Sequence, residues 1–250
     1  MKILDSHTHI GTDLVLPGAD LTEPGLISTL DSNQIDAAIC LPLPRPPDQV
    51  AAHNAIAHAA ERNKGRIFGI ASVNPVYFKE LAATEIRRCI EDLGFVGVKM
   101  HCDDWSFGPL MPPGEYLAKI AEDLDVPLII HCGIHQLHAN TPRFVGVLAK
   151  LHPKLSVVIA HFGGATGASS NDAMLTAAEN SNVFVETSFS SVYYLMMAVD
   201  RVGADKLMFG SDLPLNVPVE LTKIRALALK PSDERKVLSE TACRVFKIKP

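Results

Sequence analysis

Ile3-Leu4-Asp5-Ser6-His7-Thr8-His9-Ile10-Gly11 sets two imidazoles two positions apart, directly behind an apolar pair. The stretch reads as a strand, and alternation across a strand places Asp5, His7 and His9 on one face. Moving outward from it, comparable apolar runs begin near residues 35, 66, 95, 126, 155, 183 and 206. They recur roughly every 30 residues, the length of one strand, one helix and two short connections. Amphipathic stretches fill the intervals. "LTEPGLISTLDSN" (21–33) is helical with Thr22 as N-cap. "DQVAAHNAIAHAAERNKG" (48–65) is closed by Gly65, and "FKELAATEIRRCIEDLG" (78–94) by Gly94. Residues 115–125, 142–153, 171–181 and 191–203 read the same way. The tail from Val219 to Phe246 is helical with a break at Pro231.

Alternating strands and helices imply a parallel sheet. Eight such units imply an α/β fold closed into a (β/α)8 TIM barrel. The competing architecture is an open doubly wound sheet. No G-x-G-x-x-G follows the first strand, which weakens a dinucleotide-binding version of it. With 250 residues, 47% of them hydrophobic, the chain has enough apolar material for one barrel without a disulfide staple, so a single domain over 1–250 is expected.

A net charge of −5 and the lack of a basic run argue against a nucleic-acid surface. The five cysteines, Cys40, Cys89, Cys102, Cys132 and Cys243, are odd in number and form no C-x-x-C. They read as buried thiols in a reducing compartment. No leader pattern and no 18-residue apolar run is present, which excludes a membrane span and points to a cytoplasmic protein. A homodimer is compatible with these features.

In a barrel, chemistry sits at the carboxyl ends of the strands. The polar residues there are His7 and His9 on the first strand, Lys99 and His101 on the fourth, His131 on the fifth, His161 on the sixth and Asp212 on the eighth. Two imidazoles pointing inward at one rim can hold a divalent cation, and His131 and Asp212 are placed to close the set. Nitrogen and carboxylate donors suit zinc first, with manganese or iron as alternatives. A position left for water would give a nucleophile near neutral pH. His161 would stand beside that water as acid, base or electrostatic partner.

At this point the chain resembles the amidohydrolase superfamily. It is most similar to the amidohydrolase-related branch that includes aminocarboxymuconate-semialdehyde and resorcylate decarboxylases. The matching segments are "DSHTHIG", "GVKMH", "LIIHCG", "IAHFGG" and "MFGSDLP", in that order, with "ETACRVFKI" resembling the branch's closing helix. The resemblance implies one metal held by His7, His9, His131 and Asp212. It also implies that His161 acts on the bound water or substrate, and that Asp212 doubles as a proton acceptor.

Other residues carry weaker expectations. In some amidohydrolases a lysine at the position of Lys99 is carbamylated and bridges two metals; here a buried or ion-paired amine is expected. His101 lines the pocket, and Arg45, in the stiff "LPLPRPPDQ" loop, clamps a substrate carboxylate. Arg143 reads as a solvated charge. Glu186 faces either the pocket or a helix. His135 and His138 lie where a loop would contact substrate, and His53 and His58 read as solvated helix residues. His152 reads as a helix C-terminal cap, and Tyr193 to Met197 as helix-to-barrel packing. Hydrolysis of a C–O or C–N bond in a small organic substrate is the first functional reading. Non-oxidative decarboxylation of a small aromatic or unsaturated acid on the same metal is the alternative, and a non-catalytic ligand-binding barrel the remote one.

Overall fold

Each of the eight apolar runs forms a strand in the computed structural model, which describes residues 1–11, 19–76, 79–133, 140–164 and 166–249. The strands are β1 (Leu4–Ile10), β2 (Ala37–Pro42), β3 (Ile67–Gly69), β4 (Val98–Met100), β5 (Leu128–Ile130), β6 (Val157–Ile159), β7 (Val183–Glu186) and β8 (Leu207–Met208). They pair in parallel and in chain order, β1 to β3 in one sheet and β4 to β8 in another. Two seams join the sheets into a ring. Ala71 bridges Val98, with the Lys99 N–H donating to Ala71 O at 2.8 Å, and Thr8 bridges Asp212, whose N–H donates to His7 O at 2.7 Å. The result is a (β/α)8 barrel.

The helices are α1 (Glu23–Ser32), α2 (Gln49–Arg62), α3 (Lys79–Glu91), α4 (Cys102–Trp105), α5 (Pro112–Asp123), α6 (Pro142–Leu151), α7 (Gly167–Glu179), α8 (Val192–Arg201), α9 (Val217–Ala226), α10 (Pro231–Arg235) and α11 (Thr241–Val245). Thr22 caps α1 as expected, accepting from the Gly25 N–H. α7 starts earlier than its apolar pattern, because Thr166 and Ser169 form a reciprocal capping box that satisfies its first turn. The short α4 was not anticipated. Pro231 opens α10, and a π-helical turn, Lys236–Glu240, leads into α11. Among the described residues no helix is long and apolar enough to cross a membrane. All five cysteines are free, and four are buried.

Two layers of core follow from strand alternation. Ala38, Cys40, Val98 and Ile130 face outward and pack with helix residues such as Leu26, Ile56, Ile86 and Leu117. Leu4, Ala37, Ile39, Ile129, Val158 and Phe184 face inward, joined at the amino ends of the strands by Val245 and Phe246 of the last helical segment. That plug seals one end of the barrel and leaves the other for chemistry.

β1 does not alternate evenly along its whole length, contrary to the expectation that Asp5, His7 and His9 share one face. Asp5 pairs with Ala38 and Thr8 with Cys40, so β1 carries one extra residue against β2. This bulge breaks the alternation. Asp5 is in register with outward-facing Ala38, whereas His9 is in register with inward-facing Leu41. Asp5 therefore does not share the histidines' face; it accepts hydrogen bonds from the Ser211 N–H and hydroxyl at 3.0 and 2.6 Å. His53 is likewise not solvated but fully buried. Its Nδ1 contacts Glu85 Oε1 at 2.8 Å and its Nε2 accepts from the Ser72 N–H at 3.0 Å. Arg88 clamps the same carboxylate with two bonds at 2.7 Å. His53, Glu85 and nearby Cys89 thus form a satisfied packing network between α2 and α3, although their donor atoms are grouped closely enough for a metal.

Candidate metal centre

The open end of the barrel gathers His7 and His9 from β1, Lys99 from β4, His161 from the turn after β6, Glu186 from β7 and Asp212 beyond β8. Asp212 Oδ1 lies 3.6 Å from His7 Nε2, 3.6 Å from His9 Nε2 and 3.7 Å from His161 Nε2. These separations are too long for hydrogen bonds. They match the edge of a coordination tetrahedron, about 3.4 Å for ligands about 2.1 Å from a common ion.

The outer ring nitrogens explain why the inner ones are available. His9 Nδ1 is 2.6 Å from Pro42 O, an atom that only accepts, so the proton is on Nδ1 and the lone pair on Nε2. His7 Nδ1 lies 3.1 Å from Glu186 Oε2. Burial pushes the His7 and His161 pKa values well below the usual histidine range and that of His9 to about 3, and the nearby Lys99 charge pushes the same way. Neutral imidazoles that keep a lone pair on the inner nitrogen are the form a metal needs. His7, His9 and Asp212 thus make a three-donor set that fits one divalent cation.

Lys99 is the buried amine expected from the sequence. Its Nζ lies 3.2 Å from His7 Nε2. Burial lowers its pKa to about 8, with the Asp212 and Glu186 charges resisting the shift. Burial raises Asp212 to about 6, and Lys99 holds it from rising further. Burial raises Glu186 to about 8, with the Asp212 charge adding to the rise and hydrogen bonds from His161 and Ser188 resisting it.

The backbone that presents these groups is strained. His161 (φ 57°), Phe162 (φ 49°) and Asp212 (φ 66°) occupy the left-handed region. Non-glycine residues there cost about 1–3 kcal/mol each and cluster at functional sites.

His131 stands apart from the three-donor set. Its Nε2 is 3.3 Å from Asp103 Oδ2, and its Nδ1 is buried with no partner among the described residues. Its ring packs against His161 at 4.8 Å between centroids and stacks on His101 at 4.1 Å. Asn140 donates to Asp103 Oδ1. Gly133 leaves room for the pair, since a Cβ there would lie 2.6 Å from both Asp103 Oδ2 and His131 Nε2. His101 is buried, and its Nδ1 accepts from the Asp104 N–H at 3.4 Å. Arg45 lies 3.5 Å from Asp104 Oδ1, with its side chain 78% exposed. Together with Asp104 and Trp105 it lines a cavity of about 500 Å³. Arg143 is exposed and paired with Asp172 at 2.9 Å. His135 and His138 lie outside the described residues.

The sequence leaves the direction of Glu186 open and does not single out Ser188, Asp103, Asn140 or Phe189. Glu186 is fully buried behind His7 and His161. The available signal was "VFVETSFS", where an apolar strand turns abruptly polar just where the barrel opens. Asp103 sits in "KMHCDDW", a similar transition. Phe189, half exposed and also left-handed at φ 59°, places its ring 5.4 Å from His161.

Residues 45–248 match the amidohydrolase family. The γ-resorcylate decarboxylase of Polaromonas sp. (strain JS666) is 23% identical over 251 residues, covering 79% of this chain and 75% of that protein. The 5-carboxyvanillate decarboxylase of Novosphingobium aromaticivorans, solved with manganese and 4-hydroxy-3-methoxy-5-nitrobenzoic acid, superposes with a TM-score of 0.79 at 16% identity, covering 99% of this chain and 96% of that one. A probable 2-pyrone-4,6-dicarboxylic acid hydrolase from Acinetobacter baumannii superposes with a TM-score of 0.72 at 16% identity, covering 99% and 100%.

Proposed function

The chain belongs to the amidohydrolase family, and from that premise we propose that it is a metal-dependent, non-oxidative decarboxylase of a small hydroxylated aromatic acid, the whole chain acting as one catalytic domain. The observation that carries this reading is the convergence of His7 Nε2, His9 Nε2 and His161 Nε2 on Asp212 Oδ1. Decarboxylation takes precedence over the hydrolysis favoured by sequence reasoning because the relatives with named reactions act mainly on aromatic acids in this way. Phe189 beside His161 offers an aromatic wall at the same place.

We assign His7, His9 and Asp212 as ligands. His131 is the fourth, through its buried Nδ1, which has no partner among the described residues, with Nε2 directed to Asp103. The bound cation, zinc or manganese, would polarise a phenolic or carboxylate oxygen of the substrate. Asp212 Oδ1 and His161 Nε2 lie 3.7 Å apart, too far for a direct hydrogen bond but close enough for both to reach one proton of the substrate or of a bridging water, so these two groups move the proton. One proton reaches the ring carbon that carries the carboxylate. The carbon–carbon bond breaks with its electron pair left on the ring, carbon dioxide departs, and solvent replaces the proton. His101, stacked on His131, contacts the ring of the substrate, and Arg45 at the rim attracts its negative charge.

The test is carbon dioxide release from γ-resorcylate and 5-carboxyvanillate by protein loaded separately with zinc and with manganese. Turnover that stops on chelation and returns with one ion per chain is expected. A ratio near two would instead indicate a binuclear site with modified Lys99. The second reading, hydrolysis, is favoured by the likeness to the pyrone-dicarboxylic acid hydrolase. Turnover of 2-pyrone-4,6-dicarboxylate or of simple esters, without carbon dioxide release from either aromatic acid, would replace the first reading by the second.

A further inference from the structure

Glu186 is a fully buried carboxylate at this rim that does not face the inner nitrogens. It stands behind them, and both of its oxygens are filled by donors. Oε1 accepts from the Ser188 N–H. Oε2 accepts from the His161 N–H at 3.0 Å and the Ser188 hydroxyl at 2.8 Å, and lies 3.1 Å from His7 Nδ1. Two of these donors are backbone amides, which cannot reverse their direction. Their fixed direction holds both oxygens as acceptors, against the burial that raises the group to about 8.

We propose that Glu186 is a positioning residue that sets the tautomers of two histidines at once: His7 directly, and His161 through the hydroxyl of Ser188. This deepens the reading of the metal centre and rests on it. With Glu186 accepting on both oxygens, the proton count has one solution. Ser188 has a single hydroxyl proton, and Glu186 takes it. The 2.9 Å contact between Ser188 Oγ and His161 Nδ1 must then be donated by the ring. His161 is therefore protonated on Nδ1 and keeps its lone pair on Nε2. His7, donating from Nδ1 to Glu186, does the same. Both lone pairs face Asp212. One carboxylate thus prepares His7 to ligate and His161 to accept a proton.

The fold makes specific room for this carboxylate. A Cβ on Gly210 would lie 2.5 Å from Glu186 Oε1 and 2.7 Å from its carboxyl carbon. The chain just after β8 gives up a side chain where Glu186 is seated. Outer carboxylates that orient metal-bound histidines have this same physical role.

Ring-nitrogen NMR of ¹⁵N-labelled, metal-free protein at mildly alkaline pH reads the tautomers directly. Nδ1 protonation of both His7 and His161 is expected. In Ser188→Ala, His161 should lose that preference while His7 keeps it. Metal affinity should stay within about twofold, and kcat should fall about tenfold or more. In Glu186→Gln both rings should change, and metal affinity should drop about 10–100-fold. Nε2 protonation of His161 in the unmodified protein would overturn the proposal, since it would require Glu186 to be the proton donor of the chain. An unaltered His161 tautomer in Ser188→Ala would overturn it as well. Ser188→Ala removes one hydroxyl and settles the matter even if Glu186→Gln does not fold. The tautomers are read without substrate or metal, so their failure is distinct from a failure of the decarboxylase reading.

Discussion

His131 and His161 end adjacent strands in near-identical contexts, "IIHCG" and "IAHFG", yet their rings meet different neighbours. His161 points Nε2 at Asp212, while His131 points Nε2 at Asp103 and leaves Nδ1 without a partner among the described residues. The proposed roles predict different failures. His131→Ala removes a ligand and should weaken cation binding by about 100-fold or more, beyond the usual effect of losing an outer partner. His161→Ala should bind the cation within a few-fold of the unmodified protein and lose about 10²–10⁴ in rate. Metal content and kcat of the two variants, purified side by side, check this. If His161→Ala loses its ion as fully as His131→Ala, β6 supplies a ligand and the assignment must change. Such distinctions are absent from the sequence, because the two motifs read alike and only the groups opposite each ring differ.

His152 closes α6 and ties it to α5, with its ring nitrogens 3.0 Å from Glu122 and 3.2 Å from Glu115. Burial works against its charge, but the hydrogen bonds to the two glutamates outweigh burial and raise its pKa. A histidine raised in the folded state stabilises the fold fully below its unfolded value of about 6.5, and loses that contribution as pH rises through the folded value. His152→Gln should therefore be less stable than the unmodified protein in mildly acidic solution, with the gap closing in alkaline solution. Urea unfolding at both pH values measures the gap, and a gap that widens with pH would contradict the assignment. The sequence marked this residue as a helix end, since His152 precedes Pro153. It did not show that α5 brings two carboxylates to meet it.

The molecule keeps stability and chemistry at opposite ends of one barrel. Val245 and Phe246 fill the closed end among Leu4, Ile129 and Phe184, while the donor atoms stand at the open end. Phe246 is almost fully buried, so Phe246→Ala leaves a cavity and should cost about 3–5 kcal/mol. Chemical denaturation reads that loss, and metal content per folded chain should stay unchanged. Loss of metal from chains that remain folded would mean that the two ends are coupled. The barrel itself was legible because eight apolar runs at regular spacing leave few ways to bury every strand and helix face. The outer and inner cores both obey the local alternation, apart from β1.

The sequence by itself carried the strand order, the helices between them and the placement of His7, His9, His161 and Asp212 at strand ends. These depend on local periodicity, which neighbouring residues already contain. The bulge in β1 was hidden, because register belongs to two strands and not to one. The burial of His53 was hidden too, since only the packing of α3 against α2 brings Glu85 to its ring. The direction of Glu186 depended on Gly210, a residue whose contribution is the space it leaves. Tautomers, ion pairs and unpartnered nitrogens arise where atoms from distant segments come within a few ångströms. A linear pattern holds no distances between segments, so those features of the metal centre come from the folded chain alone.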